Sequence, residues 1–276
     1  MLENLGINIF NLFIFLSVAL IGLPLLGGFI SYYLAKNLKS YMVDNFSFKS
    51  QYWIGGLGVI IHELGHAVFA LIFLHRITKI KLLNFHPEDG TLGSVENSYN
   101  PHNWYQTLGS FFIGLAPLFM GLFVFWLLIK FLCHPVYSML PLHQISQLNV
   151  TNFLSLLSKL TTTWLGNIIS AFLSAGIVHQ LILIVLIGII SSTVFSLSEQ
   201  DLHSSYTGLP SYFIIVFVLS LICGLLETFN FSFLLFFEKF IMIIAALWLV
   251  LLILIFICMI ISLIEMWFMR LILNFR

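Results

Sequence analysis

A chain of 276 residues that is 60% hydrophobic and only 8% charged is not an ordinary soluble domain, in which about 25% of residues carry charge. Its 11 basic and 11 acidic residues cancel, and no basic stripe forms, so nucleic acid is excluded as a partner. The composition predicts one integral membrane domain over 1–276, in contact with the lipid bilayer for most of its length.

About 20 consecutive apolar residues cross a bilayer. The first candidate span covers about 8–34, with Pro24 and Gly27-Gly28 as its expected bend. The N-terminus has no basic stretch, and its apolar run is too long for a secretion signal, so it reads as a retained span. The second candidate, 52–75, is apolar except for one pentapeptide, His62-Glu63-Leu64-Gly65-His66.

The loop 76–105 reads as the one extramembrane piece with structure of its own. Arg76 to Phe85 carries β-compatible residues, among them Ile77, Ile80 and Leu82. His86-Pro87-Glu88-Asp89-Gly90 is a turn signal, and Thr91 to Val95 can return as a second strand. The prediction is a β-hairpin over 76–97 beside the second span. Either it is an inert connector, or its edge, with Ile80 and Leu82, pairs with an unwound substrate strand.

A third span is expected at 106–131. Residues 135–174 are less regular: Val150 to Leu173 mixes apolar residues with Thr, Ser, Asn and Lys159, as an interfacial or re-entrant helix would. Further spans are expected at 175–197, 211–229 and 240–265. The fold class is therefore all-α polytopic membrane protein, with about six transmembrane helices and a small β-hairpin. Cys223 and Cys258 lie in apolar runs and read as small core residues, not disulfide partners. Six spans put Arg76, Lys79, Lys81, Arg270 and Arg276 on one face, which the positive-inside rule calls cytoplasmic. Lys36, Lys39 and Lys49 then fall on the other face, against that rule.

The pentapeptide carries the chemistry. A charged side chain at the centre of a spanning helix costs roughly 2.5–3.5 kcal/mol, so such residues are expected to have a partner. On a helix His62 and His66 lie about 40° apart around the axis and one turn along it, and can bind one metal ion. Glu63, turned about 100° from His62, can hold a water as general base. Gly65 lets another helix come close. Catalytic Zn2+ takes three protein ligands and leaves one position open. The third must come from another span, and the preferred residue is Asp201, which closes a long charge-free run at the end of the 175–197 helix. A solvated polar cap explains the same residues equally well. Glu199, His203, His179 and Asp89 are the competitors; His179, inside an apolar stretch, is also a candidate for substrate handling.

This HExxH pentapeptide within a span, a hairpin loop, and a span reading Leu108-Gly109-Ser110-Phe111-Phe112-Ile113-Gly114-Leu115-Ala116-Pro117-Leu118 together resemble the site-2 protease family of intramembrane zinc metalloproteases. The resemblance covers about 50–205; the spans from 211 to 265 match no pattern, and no PDZ-like insertion is present. In that family the third ligand is an aspartate on a later span, often in Asn-Pro-Asp-Gly or Leu-Asp-Gly. Here Asp201 stands in Ser198-Glu199-Gln200-Asp201-Leu202, similar to a Ser-x-x-Asp variant. The resemblance implies one Zn2+ on His62, His66 and Asp201, with Glu63 as the catalytic base. It implies hydrolysis of peptide bonds in or next to the transmembrane segments of a membrane-protein substrate, by a multi-pass protein of the cell membrane.

Three other readings compete. The pentapeptide also contains HxxxH, as in membrane di-iron oxygenases, but no HxxHH box accompanies it. A CAAX-type membrane zinc protease needs a downstream glutamate, which Glu199 could supply. A non-proteolytic zinc protein, transporter or inactive scaffold, would carry acidic and histidine residues on several spans.

Overall fold

A computed structural model of the chain describes residues 2–46, 49–85, 91–133, 153–228 and 233–274. The helices are α1 (Leu2–Ser17), α2 (Leu23–Phe46), α3 (Ser50–Trp53), α4 (Gly56–Ile72), α5 (Trp104–Leu132), α6 (Phe153–Ser174), α7 (Ile177–Val194), α8 (Glu199–Thr228) and α9 (Phe233–Asn274). Strands β1 (Arg76–Lys81) and β2 (Ser94–Ser98) pair antiparallel. The chain is an all-α polytopic membrane protein with a small two-stranded sheet. Among the described residues five helical segments are long and apolar enough to cross a membrane: Ile9–Phe46, Trp104–Leu132, Ile177–Val194, Glu199–Leu225 and Leu252–Ile272.

Several boundaries differ from those expected. The first span runs on to Phe46, and its irregularity is a π-helical turn, Val18–Gly22, ahead of Pro24. Proline lacks the N–H that would bond the carbonyl of residue 20 and crowds it, so the turn widens there. Gly27 and Gly28 instead serve packing: a Cβ on Gly28 would lie 2.8 Å from Leu115 of α5. The 52–75 segment becomes α4, only 17 residues and about 25 Å long. Residues 134–152 lie outside the described residues. The rest of the 135–174 stretch is α6, whose buried Trp164 and Ala171 face the bundle. Gln180 caps its last turn, donating to the Phe172 and Ala175 carbonyls. Cys133, Cys223 and Cys258 are free and buried.

α4 lies against both α5 and α7. Gly58 and Gly65 share one stripe of α4, seven residues apart, and neither leaves room for a side chain. A Cβ on Gly58 would collide with the Ile190 carbonyl and Thr193 of α7; one on Gly65 would stand 3.1 Å from the Ala116 carbonyl of α5. The helix that Gly65 lets come close is not the 175–197 helix. Instead Gly65 faces α5, while Ser191 donates to the Cys258 carbonyl of α9 at 2.9 Å. Two helices thus cross α4 at successive heights, and close approach through small residues is what packs helices in lipid.

The hairpin is the main correction to the expected topology. Two residues beyond the end of α4, Leu74 takes a left-handed conformation with φ 59°. The His75 N–H then bonds the Ala70 carbonyl at 2.8 Å, the closure typical of a reversing helix end. The chain turns back along α4: Leu83 reaches Gly56, the first residue of the helix, and Gly93 lies against Glu63. Residues 76–83, strand over the first six, span at most about 26 Å, which matches the length of α4. The hairpin therefore lies at the depth of α4 and not outside the bundle. The return strand begins at Ser94, not Thr91, because Thr91 to Gly93 pass across the site. Thr78 forms a bulge in β1, and its hydroxyl donates to the Glu96 carbonyl. The expected turn, His86 to Gly90 with Asp89, lies outside the described residues. Leu74→Gly should stabilise the protein by about 0.5–1 kcal/mol, since only glycine adopts this φ without strain. The exposed Leu74 side chain gives up little packing. Denaturant unfolding in detergent checks this; a loss of stability would show that the Leu74 side chain matters more than its backbone.

Candidate metal centre

His62 and His66 point into the bundle from α4, each held by a backbone carbonyl behind it. His62 Nδ1 donates to the Val194 carbonyl at 2.9 Å and His66 Nδ1 to the Ile113 carbonyl at 2.8 Å. Both carbonyls are free for a reason written in the sequence. Val194 is the last residue of α7, where helical carbonyls have no intrahelical partner. Ile113 lies four residues before Pro117, which has no N–H to offer it. A carbonyl only accepts, so each Nδ1 carries a proton, and in the neutral ring each Nε2 presents a lone pair. The two Nε2 atoms are 3.1 Å apart.

Asp201 comes from the first turn of α8. The sequence reading set it at the end of the 175–197 helix; that helix stops at Val194, and the next starts at Glu199, twelve residues ahead of the expected 211. The start is a capping box. The Ser198 N–H and hydroxyl donate to Asp201 Oδ2 at 2.7 and 2.8 Å, and the Asp201 N–H donates to Ser198 Oγ at 3.1 Å. Gly114 lets α8 approach α5 closely, since a Cβ there would strike the Asp201 carbonyl and Ser205. With Oδ2 anchored, Asp201 Oδ1 stands 3.1 Å from His66 Nε2, and Oδ2 lies 3.6 Å from His62 Nε2.

Three electron-pair donors thus converge, the two Nε2 atoms and a carboxylate. Their ligand atoms all lie within 4.8 Å of one another, and His62 and His66 are buried. Lone pairs this close repel one another, so either protons or a metal ion must lie between them. A tetrahedral ion with bonds of about 2.0–2.1 Å sets its ligands ~3.3 Å apart; the two Nε2 atoms are 3.1 Å apart, and each faces one Asp201 oxygen, Oδ1 at 3.1 Å from His66 and Oδ2 at 3.6 Å from His62. His62, His66 and Asp201 form a group that could hold a metal ion.

The group opens into a cavity of about 1250 Å³ between α2, α4, α5, α8 and the hairpin. Glu63, buried on the next position of α4, lines it too. Gly93 crosses Glu63 so closely that a Cβ would stand 2.6 Å from Glu63 Cγ. Lys39, His75, Lys79, Lys81, Glu96, Asn97 and Ser110 complete much of the polar wall. Lys39 and Lys81 therefore share one cavity, although the span count had put them on opposite faces. The turned-back hairpin explains this. Irregular backbone at membrane depth is tolerated beside protein or water, and this cavity supplies both.

Other candidates fall outside the group. Glu199 accepts from the Tyr32 hydroxyl at 3.2 Å, and His203 lines the cavity from an exposed position. His179 is exposed in the first turn of α7, fifteen residues or about 22 Å along that helix from Val194, and takes no part in the cavity. Ile80 is 49% exposed, and neither it nor Leu82 lines the cavity; strand alternation gives that face to Lys79 and Lys81. Sequence reasoning missed Lys39, His75 and Ser110. The cap that places Asp201 was readable as Ser-x-x-Asp before an apolar run. No family model, no curated protein and no solved structure matches this chain.

Proposed function

We propose that the chain is an intramembrane zinc metalloprotease of the site-2 protease type, in a cell membrane, acting on the membrane-spanning or juxtamembrane segments of other proteins. The observation that carries the reading is the convergence of His62, His66 and Asp201, from two helices 135 residues apart in sequence (201 − 66), beside the carboxyl group of Glu63 in a polar cavity. Two imidazoles and one carboxylate with a fourth position open is the donor set of hydrolytic zinc. Bound there, zinc would polarise the scissile carbonyl and lower the pKa of a water to about 7.

The residues of the chain supply the rest. The Val194 and Ile113 carbonyls fix the tautomers and orientation of the histidines, and Ser198 fixes Asp201. Glu63 takes a proton from the attacking water and returns it to the leaving amine. A substrate helix must unwind to expose its carbonyl. The cavity is lined by Ser94, Val95, Glu96 and Asn97 of β2, and an extended segment can lie along that wall.

Purified in detergent without chelator, the protein should cleave peptides copied from membrane-spanning segments. A zinc chelator should stop the cleavage, and one equivalent of zinc should restore it. Cleavage indifferent to the chelator, or none across a broad set of such segments, would count against the reading.

A further inference from the structure

Ser110 is 4% exposed, yet among the described residues its hydroxyl has no hydrogen-bond partner. A buried serine in a helix ordinarily donates to the carbonyl three or four residues back. For Ser110 these are Thr107 and Gln106; its hydroxyl bonds neither, and the Gln106 carbonyl takes the Nε2–H of His75 at 2.7 Å. His75 is itself fixed: it is buried, its Nδ1 lies 2.9 Å from the Asn97 side chain, and its ring stacks on Tyr99 with centroids 4.8 Å apart. The Ser110 hydroxyl is left uncommitted, and the residue lines the cavity that holds His62, Glu63, His66 and Asp201.

Its height is also informative. Ser110, Ile113 and Gly114 fall on one face of α5, at i, i+3 and i+4. Ile113 holds His66 by its carbonyl, and Gly114 abuts Asp201. Ser110 therefore stands about one helical turn, ~5 Å, from the level of the histidine and aspartate contacts. A buried hydroxyl left unpaired is a cost that a folded protein rarely carries without use.

We propose that Ser110 donates a hydrogen bond to the carbonyl oxygen of the scissile peptide. This rests on the peptide-hydrolysis reading. When water adds to the carbonyl carbon, a C–O bond forms and the C=O π pair moves onto the carbonyl oxygen. The water proton goes to Glu63. The Ser110 O–H shortens onto the oxygen as its charge grows; when the C–N bond breaks, the C=O bond re-forms and the Glu63 proton leaves with the amine. Ser110 gives up no proton. Its contact is stronger in the transition state than in the bound substrate, so it acts on kcat and not on KM.

The test is Ser110→Ala, with turnover of a peptide copied from a membrane-spanning segment measured beside metal content and thermal stability. The expected result is a fall in kcat of about 10²-fold with KM unchanged. Zinc content should stay the same, and Tm should be equal or higher in both metal-free and metal-loaded protein, because an unpaired buried hydroxyl has been removed. A phosphinic peptide, which copies the tetrahedral adduct, should lose affinity by about the same factor. Undiminished kcat in Ser110→Ala would overturn the proposal, and so would a fall in Tm and zinc content together, which would make the hydroxyl structural. No cleavage by the wild-type protein would instead remove the reading beneath it.

Discussion

Glu63→Gln should leave the metal in place and lower turnover by about 10²–10⁴-fold, the range that a positioned general base contributes. Glutamine has nearly the same shape, so the close contact with Gly93 and the path of the hairpin are kept. What it loses is the ability to take a proton from water. Substrate affinity should change little, because the side chain is not a metal ligand in the geometry described. The measurement is single-turnover cleavage, with zinc content and the melting temperature taken on the same sample. Turnover close to wild type would assign the base to another group.

Asp201→Asn is the second large effect. Its carboxylate supplies the only negative charge in the group of three ligand residues, and one of its oxygens is tied to Ser198. Asparagine can still accept from Ser198 and keep the helix cap, but it then turns an amide toward His66 in place of an oxygen. Zinc affinity should fall by more than the ~10–100-fold that follows loss of an outer partner, and activity should fall with it. Glu199→Gln, two residues away and on the Tyr32 side, should change both little. Competition with a chromophoric chelator gives the two affinities. Equal losses in the two variants would mean that the charge of the helix start matters and not the ligand.

These two residues also show what could be read from the sequence. His62, Glu63 and His66 stood out because polar groups inside an apolar run demand a partner, and their helical spacing brings the histidines to one side. Asp201 stood out by the same logic, but it was assigned to the wrong helix. Its place depends on a local signal, the Ser198 cap, which competed with a reading based on where charge resumes. The hairpin was legible in kind, from β-compatible residues and a turn signal. Its depth was not, because the reversal rests on Leu74 adopting a left-handed conformation, which leucine seldom does. Lys39 and Lys81 share a cavity for that same reason. Pro117 frees the Ile113 carbonyl within its own helix, but that His66 takes this carbonyl depends on how α4 packs, which no spacing reveals. His75 likewise meets the Gln106 carbonyl only in the folded bundle. His179 misled the reading because an isolated polar residue in an apolar run is a signal only when something faces it, and here nothing of the site does.

The central claim is that one zinc ion is held by His62, His66 and Asp201 inside a membrane domain. X-ray absorption at the zinc edge, on protein purified in detergent and quantified for metal, tests it most directly. The predicted result is about one zinc per chain, with only nitrogen and oxygen neighbours at about 2.0–2.2 Å, and loss of that signal in His62→Ala. Protein that carries no zinc, or zinc bound through the sulfur of Cys133, Cys223 or Cys258, would contradict the account.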